Sequence, residues 1–150
     1  MCVVPSSVTG MASTEKAEAF LAERRNVVVA GIRRDGRPHL SPNFFYWDGE
    51  RFYVSTTRSR VKYAIFRRDK RAQLLVDDST GHRYVAVTAT VEIREDIAAE
   101  LPRFRAIREK YGMTVPGDEE HLRALTDEGR VLLAMTPDKP LSDWTSTGLD

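Results

Sequence analysis

Six short apolar stretches, several of which alternate with polar residues at a period of two, predict β-strands along the chain. Asp-Gly pairs, which are typical of hairpin turns, separate the first three strands at Asp35-Gly36 and Asp48-Gly49. Pro42 lies within the second strand and favours an edge or a bulge there. The pattern therefore indicates an antiparallel barrel, mainly β with helical excursions. The expected strands are 27–32, 38–47, 51–56, 72–77, 84–93 and 130–136.

A helical period of 3.6 residues replaces the period of two in four places. We expect Ser13 or Thr14 to cap the first helix. Its apolar face consists of Ala17, Phe20 and Leu21. A second short helix is expected after Arg60, a third from Asp96 to about residue 111, and a fourth over 118–126.

Length and charge limit the classes of protein to which the chain can belong. We expect residues 1–13 to be a disordered lead-in and residues 14–150 to form a single domain. The 23 basic and 22 acidic residues nearly cancel, so neither nucleic acid nor a membrane is expected as a partner. One cysteine and the lack of a signal-peptide pattern in the first residues lead us to expect a reducing, cytoplasmic location.

A basic segment stands out against this neutral background. Between Arg58 and Arg71 there are seven basic residues and one acidic residue, Asp69. Three hydroxyl residues, 55–57, precede this segment at the junction of a predicted strand and a predicted helix. Hydroxyls and orphan N–H groups at a helix start bind anions, and Arg60 and Lys62 would add full charges, so a phosphate site is one interpretation. The alternative is that the hydroxyl residues only cap the helix.

Several motifs of catalysis and metal binding are missing from the sequence. The glycines of residues 31–36 have P-loop spacing but lack the following Lys-Ser/Thr. There is no dinucleotide-binding glycine motif and no nucleophile elbow. His39, His82 and His121 are far apart in the sequence, so we expect surface or edge positions for them and no metal site.

An ordered set of short motifs resembles a known family. These are D-G-R-P-H-L-S-P at 35–42, W-D-G at 47–49, F-Y-V-S-T-T at 52–57, R-x-K at 60–62 and F-R-R-D-K-R-A at 66–72. Together they resemble the pyridoxamine-phosphate-oxidase-like split β-barrel proteins, in particular the branch that uses the deazaflavin coenzyme F-420. The resemblance implies a six-stranded antiparallel split β-barrel and a homodimer with cofactor sites at the interface.

The resemblance also implies which residues bind the cofactor. The phosphate and ribityl chain would be bound by Ser55, Thr56, Thr57, Arg60 and Lys62, and the ring would be bordered by Ser41, Pro42 and Asn43. One feature departs from the family pattern. Vitamin phosphate oxidases have a Trp followed by Arg-x-His near the C-terminus, whereas this chain has Trp144 without them. Trp144 is expected to pack on a partner subunit, to cover the ring, or simply to anchor the tail.

What the resemblance implies about activity is an oxidoreductase that passes a hydride from F-420 to a small conjugated or heteroaromatic acceptor. An enzyme that uses FMN is the nearest alternative. The second alternative is a barrel that binds flavin, haem or deazaflavin without turnover. The aromatic residues at 44–47 and 52–53 would suit an RNA-binding barrel, but such residues are more often core or dimer contacts.

Overall fold

The fold was analysed in a computed structural model that describes residues 11–149, with side chains from residue 14 onward. Most of the expected lead-in lies outside the described residues, and helix α1 already begins at Met11, so Ser13 and Thr14 lie inside it and do not cap it. The helices are α1 Met11–Glu23, α2 Val61–Arg68, α3 Ile97–Lys110 and α4 Asp118–Asp127, with a 3-10 turn at Leu141–Asp143.

An antiparallel sheet of eight strands curls around the core, in the order β2-β1-β5-β6-β7-β4-β3, with β8 paired to β6. The mainly β, split-barrel fold expected from the sequence is thereby confirmed, with two short strands more than the six expected. Strand β2 lies at the edge of the sheet, as Pro42 indicated. The strands are β1 Val27–Ile32, β2 Pro38–Asn43, β3 Tyr46–Trp47, β4 Phe52–Thr57, β5 Arg71–Asp77, β6 Tyr84–Arg94, β7 Arg130–Pro137 and β8 Thr145–Thr147.

The second expected strand was wrong in its length, because it breaks at Phe44 and Phe45. Phe44 leaves the sheet and stacks on the ring of Tyr111, with 4.0 Å between ring centroids. The Tyr111 hydroxyl accepts a 2.9 Å hydrogen bond from Phe45 N and lies 3.2 Å from Phe45 O, to which it can donate. This side chain therefore replaces a neighbouring strand as the partner of the Phe45 backbone.

Alternating residues of the long strands face a shared apolar core. In β5, for example, Ala72, Leu74 and Val76 are buried while the residues between them are exposed. The apolar face expected for α1 packs into the same core, since Phe20 and Leu21 are buried. The period of the sequence thus decides which face of each element is covered.

A buried ion cluster attaches helix α3 to strands β4 and β6 of the sheet. Glu100 is only 9% exposed and accepts hydrogen bonds from Arg94 at 3.4 Å and Arg103 at 3.1 Å. The same guanidinium groups lie over the ring of Tyr53, whose hydroxyl donates to Asp48 Oδ2 at 3.0 Å. Because an unpaired buried charge costs several kcal/mol, this cluster fixes where α3 lies.

Gly31 allows α2 to approach strand β1. A Cβ atom at this position would lie 2.7 Å from Ile65 Cγ2 and 3.1 Å from Phe66 Cζ, which are both in α2. Ile65 and Phe66 are almost fully buried against the sheet. A glycine here is thus required by packing, and it determines the position of the start of α2.

We expect Gly31→Ala to destabilise the fold by about 1–3 kcal/mol, because the added methyl group overlaps α2. Urea unfolding would measure the change. Gly117→Ala is the control, since a Cβ atom there meets nothing within 4 Å and its φ of −59° suits alanine, so that only the loss of a glycine N-cap, within about 1 kcal/mol, is expected. Equal stability of Gly31→Ala and the wild type would show that α2 does not pack closely at this point.

Candidate functional site

A cavity of about 650 Å³ opens between the edge strand β2, the end of β4, the start of α2 and the helix pair α3 and α4. Ligand pockets of proteins span roughly 300–1,000 Å³, so the cavity is large enough for a cofactor. Its lining residues are Ser41, Pro42, Asn43, Phe44, Ser55, Thr56, Arg60, Lys62, Phe104, Ile107, Arg108, Met113, Pro116, His121, Ala124, Leu125, Glu128 and Arg130.

Seven of the eight residues proposed from the sequence line this cavity. They are Ser41, Pro42, Asn43, Ser55, Thr56, Arg60 and Lys62. The eighth, Thr57, is absent from the lining, and its hydroxyl shares a 2.9 Å hydrogen bond with Ser59. Asn43 is held locally, because its Nδ2 donates to the carbonyl oxygen of Ser41 at 2.8 Å. The structure brings two separate stretches of the sequence together, and their role in binding stays a prediction.

The hydroxyl residues 55–57 do not cap α2. They lie in strand β4, opposite Leu132, Val131 and Arg130 of β7. The N-cap residue of α2 is Arg60, and no side chain makes a capping hydrogen bond there. The alternative interpretation of these residues as a helix cap is therefore wrong, and the first turn of α2 has backbone N–H groups free of any side-chain cap.

Two of the cations at this end of the cavity have no acidic partner among the described residues. Arg58 pairs with Glu95 at 3.4 Å, whereas within residues 14–149 neither Arg60 nor Lys62 forms an ion pair. Burial, and then the charge of Arg60, lowers the pKa of Lys62. Burial also lowers the pKa of His39, with Arg33 and Lys62 as further causes. An anion bound here would offset this mutual repulsion.

The helices α3 and α4 build the other wall, which sequence reasoning missed. The lining residues of α4 are His121, Ala124, Leu125 and Glu128, which follow the i, i+3, i+4, i+7 spacing of one helical face. Phe104, Ile107 and Arg108 do the same in α3. This spacing was visible in the sequence, but only the packed structure shows that the two faces point at a cavity rather than at the main core.

Two further cations that line the cavity, Arg108 of α3 and Arg130 of β7, are fixed by neighbouring groups. Arg130 donates from Nε to Glu128 at 2.7 Å and from Nη1 to Ser55 Oγ at 3.4 Å. Arg108 Nε donates to the carbonyl oxygen of Thr114 at 2.7 Å, which holds the loop after α3. Arg130 therefore brings a second guanidinium to the polar end of the cavity and positions a β4 hydroxyl.

His121 was expected at the surface, and this was wrong. The side chain is 3% exposed, and its Nδ1 is buried without a hydrogen-bond partner among the described residues. Burial lowers the pKa of His121, assisted by the charges of Arg108 and Arg105 and opposed by Glu128. Little in the sequence indicated this burial, because α4 is largely acidic and its histidine has no motif around it.

Trp144 lies away from the large cavity. It packs edge-on against Trp47, with 5.3 Å between centroids, and its Nε1 donates to the carbonyl oxygen of Lys139 at 3.0 Å. Of the roles considered for it, the contacts within this chain match anchoring of the tail.

Within the described residues there is no cluster of metal ligands. No helix there has the length and apolar character needed to cross a bilayer.

Comparison with solved structures finds the same fold in proteins of low sequence identity. An F-420 reductase is 24% identical, with 81% of this chain and 93% of that chain covered and a TM-score of 0.64. A conserved hypothetical protein from Mycobacterium tuberculosis is 22% identical, with coverage of 90% and 84% and a TM-score of 0.75. A heme storage protein from Vibrio cholerae is 16% identical, with coverage of 89% and 94% and a TM-score of 0.70.

A family model also matches the sequence itself. The model of the pyridoxamine 5'-phosphate oxidase family covers residues 13–140, which include all eight strands except the short β8. The match includes both stretches that line the polar end of the cavity. The chain belongs to the pyridoxamine 5'-phosphate oxidase family.

Proposed function

We propose that this protein is an oxidoreductase that uses coenzyme F-420 as the hydride donor to a small conjugated or heteroaromatic acceptor. The observation that carries the proposal is the pair of cations without acidic partners, Arg60 and Lys62, at one end of a ligand-sized cavity. Family membership and the fold shared with an F-420 reductase support a redox coenzyme of this class. FMN is the alternative coenzyme, since the same site chemistry suits its phosphate.

The side chains present fit such a coenzyme. Arg60 and Lys62, with the uncapped first turn of α2 and the hydroxyls of Ser55 and Thr56, would bind the phosphate. Ser41 and Asn43 would border the ring from the edge strand. When bound, the coenzyme supplies the redox chemistry.

The protein's own contribution is orientation and the exclusion of water. The apolar side chains of α3 and α4 cover one side of the cavity, and Arg130 is held by Glu128. Because Glu128 is committed to this pair, we assign the proton that accompanies reduction of the acceptor to solvent. No side chain of the site needs to act as a nucleophile.

We expect the double variant Arg60→Ala/Lys62→Ala to bind F-420 and FMN more weakly by roughly a hundred-fold or more, because two charge-assisted hydrogen bonds are lost and each contributes about 1.5–3 kcal/mol. Fluorescence titration of the purified protein with each coenzyme would give the dissociation constants. The coenzyme that binds more tightly to the wild type is then tested for reduction of an acceptor panel. Binding without any acceptor reduction would favour a carrier protein.

Arg67→Ala/Lys70→Ala is the matched control for that pair. It also removes one guanidinium and one ammonium group from the same segment. Arg67 and Lys70 are solvent-exposed and, unlike Arg60 and Lys62, do not line the cavity. We expect this control to bind within about three-fold of the wild type. Equal losses in both double variants would mean that a diffuse basic surface, and not a defined site, attracts the coenzyme.

The proposal includes a homodimer in which the outer face of β1, β2 and β5 is covered. Leu40 is 63% exposed and Leu75 is 36% exposed, although both lie in regular strands. The register places Val28 opposite Pro42 on one side and Leu75 on the other, so the apolar patch is continuous. Pro42 also lines the cavity, which connects the patch to the candidate site.

We expect Leu40→Glu to shift the protein from dimer to monomer, because a carboxylate would be buried in the interface without a partner. Light scattering coupled to size-exclusion chromatography would measure the mass. Ala19→Glu introduces the same charge at an exposed position of α1, and the protein should remain dimeric. A wild-type protein that elutes as a monomer at micromolar concentration would contradict the proposed dimer.

A further inference from the structure

The second wall of the cavity contains a polar group that the proposed phosphate site does not use. His121 lies on the cavity-lining face of α4, between apolar side chains of α3 and α4. Seven residues, or about 10 Å of helix axis, separate it from Glu128 at the polar end. A ligand whose phosphate occupies the polar end would therefore extend its uncharged part toward this histidine.

Only one nitrogen of His121 is available to a ligand. Nδ1 is sealed in protein and has no partner among the described residues. His121 lines the cavity, and Nε2 is the remaining polar atom of its side chain. The side chain is 97% covered in total, so its orientation is fixed by packing rather than by solvent.

The ring of His121 is surrounded by charged groups. Arg105 and Arg108 face it from α3, and Glu128 follows at the C-cap of its own helix. Arg105 is itself held at the start of α4 by an ion pair with Asp118. Burial, and then the charges of Arg108 and Arg105, lower the pKa of His121, so the ring is neutral and has a single N–H, which can be donated from Nε2.

We propose that His121 is a positioning residue whose Nε2–H donates a hydrogen bond to a carbonyl oxygen of the coenzyme's heteroaromatic ring. This inference rests on the proposed function and adds a second fixed point to it, since flavins and deazaflavins both have ring carbonyl groups. The phosphate site would fix the position of one end of the coenzyme, and His121 would fix the rotation of its ring. A fixed neutral donor in an apolar wall discriminates against ligands that lack an acceptor there.

The test compares coenzymes with and without the phosphate. We expect His121→Leu to weaken the binding of FMN and of riboflavin by the same factor, about 5- to 10-fold, since one neutral hydrogen bond is lost. If F-420 is the preferred coenzyme, the ribityl deazaflavin that lacks the phosphate replaces riboflavin. Arg60→Ala/Lys62→Ala should affect only the phosphorylated ligand. Equal binding to the wild type and to His121→Leu would overturn the inference.

Conservative variants separate positioning from a merely structural role. The amide nitrogen of Gln can take the place of Nε2, whereas that of Asn takes the place of Nδ1. We therefore expect His121→Gln to retain binding within about three-fold and His121→Asn to lose as much as His121→Leu. Thermal unfolding would show that all three variants are folded. Equal losses of binding in the Gln, Asn and Leu variants would then mean that His121 has only a packing role.

Nitrogen-15 NMR of the wild-type imidazoles gives a readout that needs no variant and no turnover. We expect the resonances of His121 to show a protonated Nε2 and to shift when the coenzyme is added, while those of exposed His82 stay unchanged. A ligand that binds without shifting His121 would overturn this inference but leave the proposed function intact. Failure of the wild type to bind either coenzyme would instead overturn the proposed function.

Discussion

The close packing of α2 against strand β1 at Gly31 is the contact on which the geometry of the candidate site depends. Helix α2 follows directly after strand β4, so the place where the helix meets the sheet decides where residues 58–62 run. Buried Ile65 and Phe66 fix that place, and glycine leaves room for them. The strain-free contact holds Arg60 and Lys62 at the cavity, although their like charges repel each other.

Ion pairs, rather than apolar packing alone, hold the other side of the cavity. Glu100 ties α3 to the sheet through Arg94, and the Arg105–Asp118 pair joins α3 to α4. These helices then present apolar side chains, Arg108 and the buried His121 to the cavity. The site therefore has a cationic end and a largely apolar wall, which suits an elongated ligand with an anionic group and an uncharged ring.

Membership of a family limits the fold more than it limits the chemistry. Proteins of this fold include an F-420 reductase and a heme storage protein, so the shared barrel does not itself select a ligand. In this chain the selection is made by the residues that line the cavity. The C-terminal Arg-x-His pattern of vitamin phosphate oxidases is missing, while Trp144 is occupied in anchoring the tail.

The sequence predicted strands such as β5 and β6 well because each has one covered face and one exposed face, which the period of two records directly. It failed at Phe44 and Phe45, where Tyr111, distant in the sequence, supplies the hydrogen bonds that end β2. The alternative of a helix cap at the start of α2 is also wrong, because the hydroxyl residues 55–57 belong to a strand paired with β7. In both places a long-range partner overrides a local preference.

By itself the sequence determined the split barrel, the basic segment after β4 and the residues of β2 and β4 that meet at the cavity. Only the tertiary structure decided that α3 and α4 close that cavity and that His121 is buried in its wall. The physical reason is that periodicity shows which side of a helix is covered but not what covers it. The covering partner is chosen by contacts such as those of Gly31 and Glu100, which lie far away along the chain.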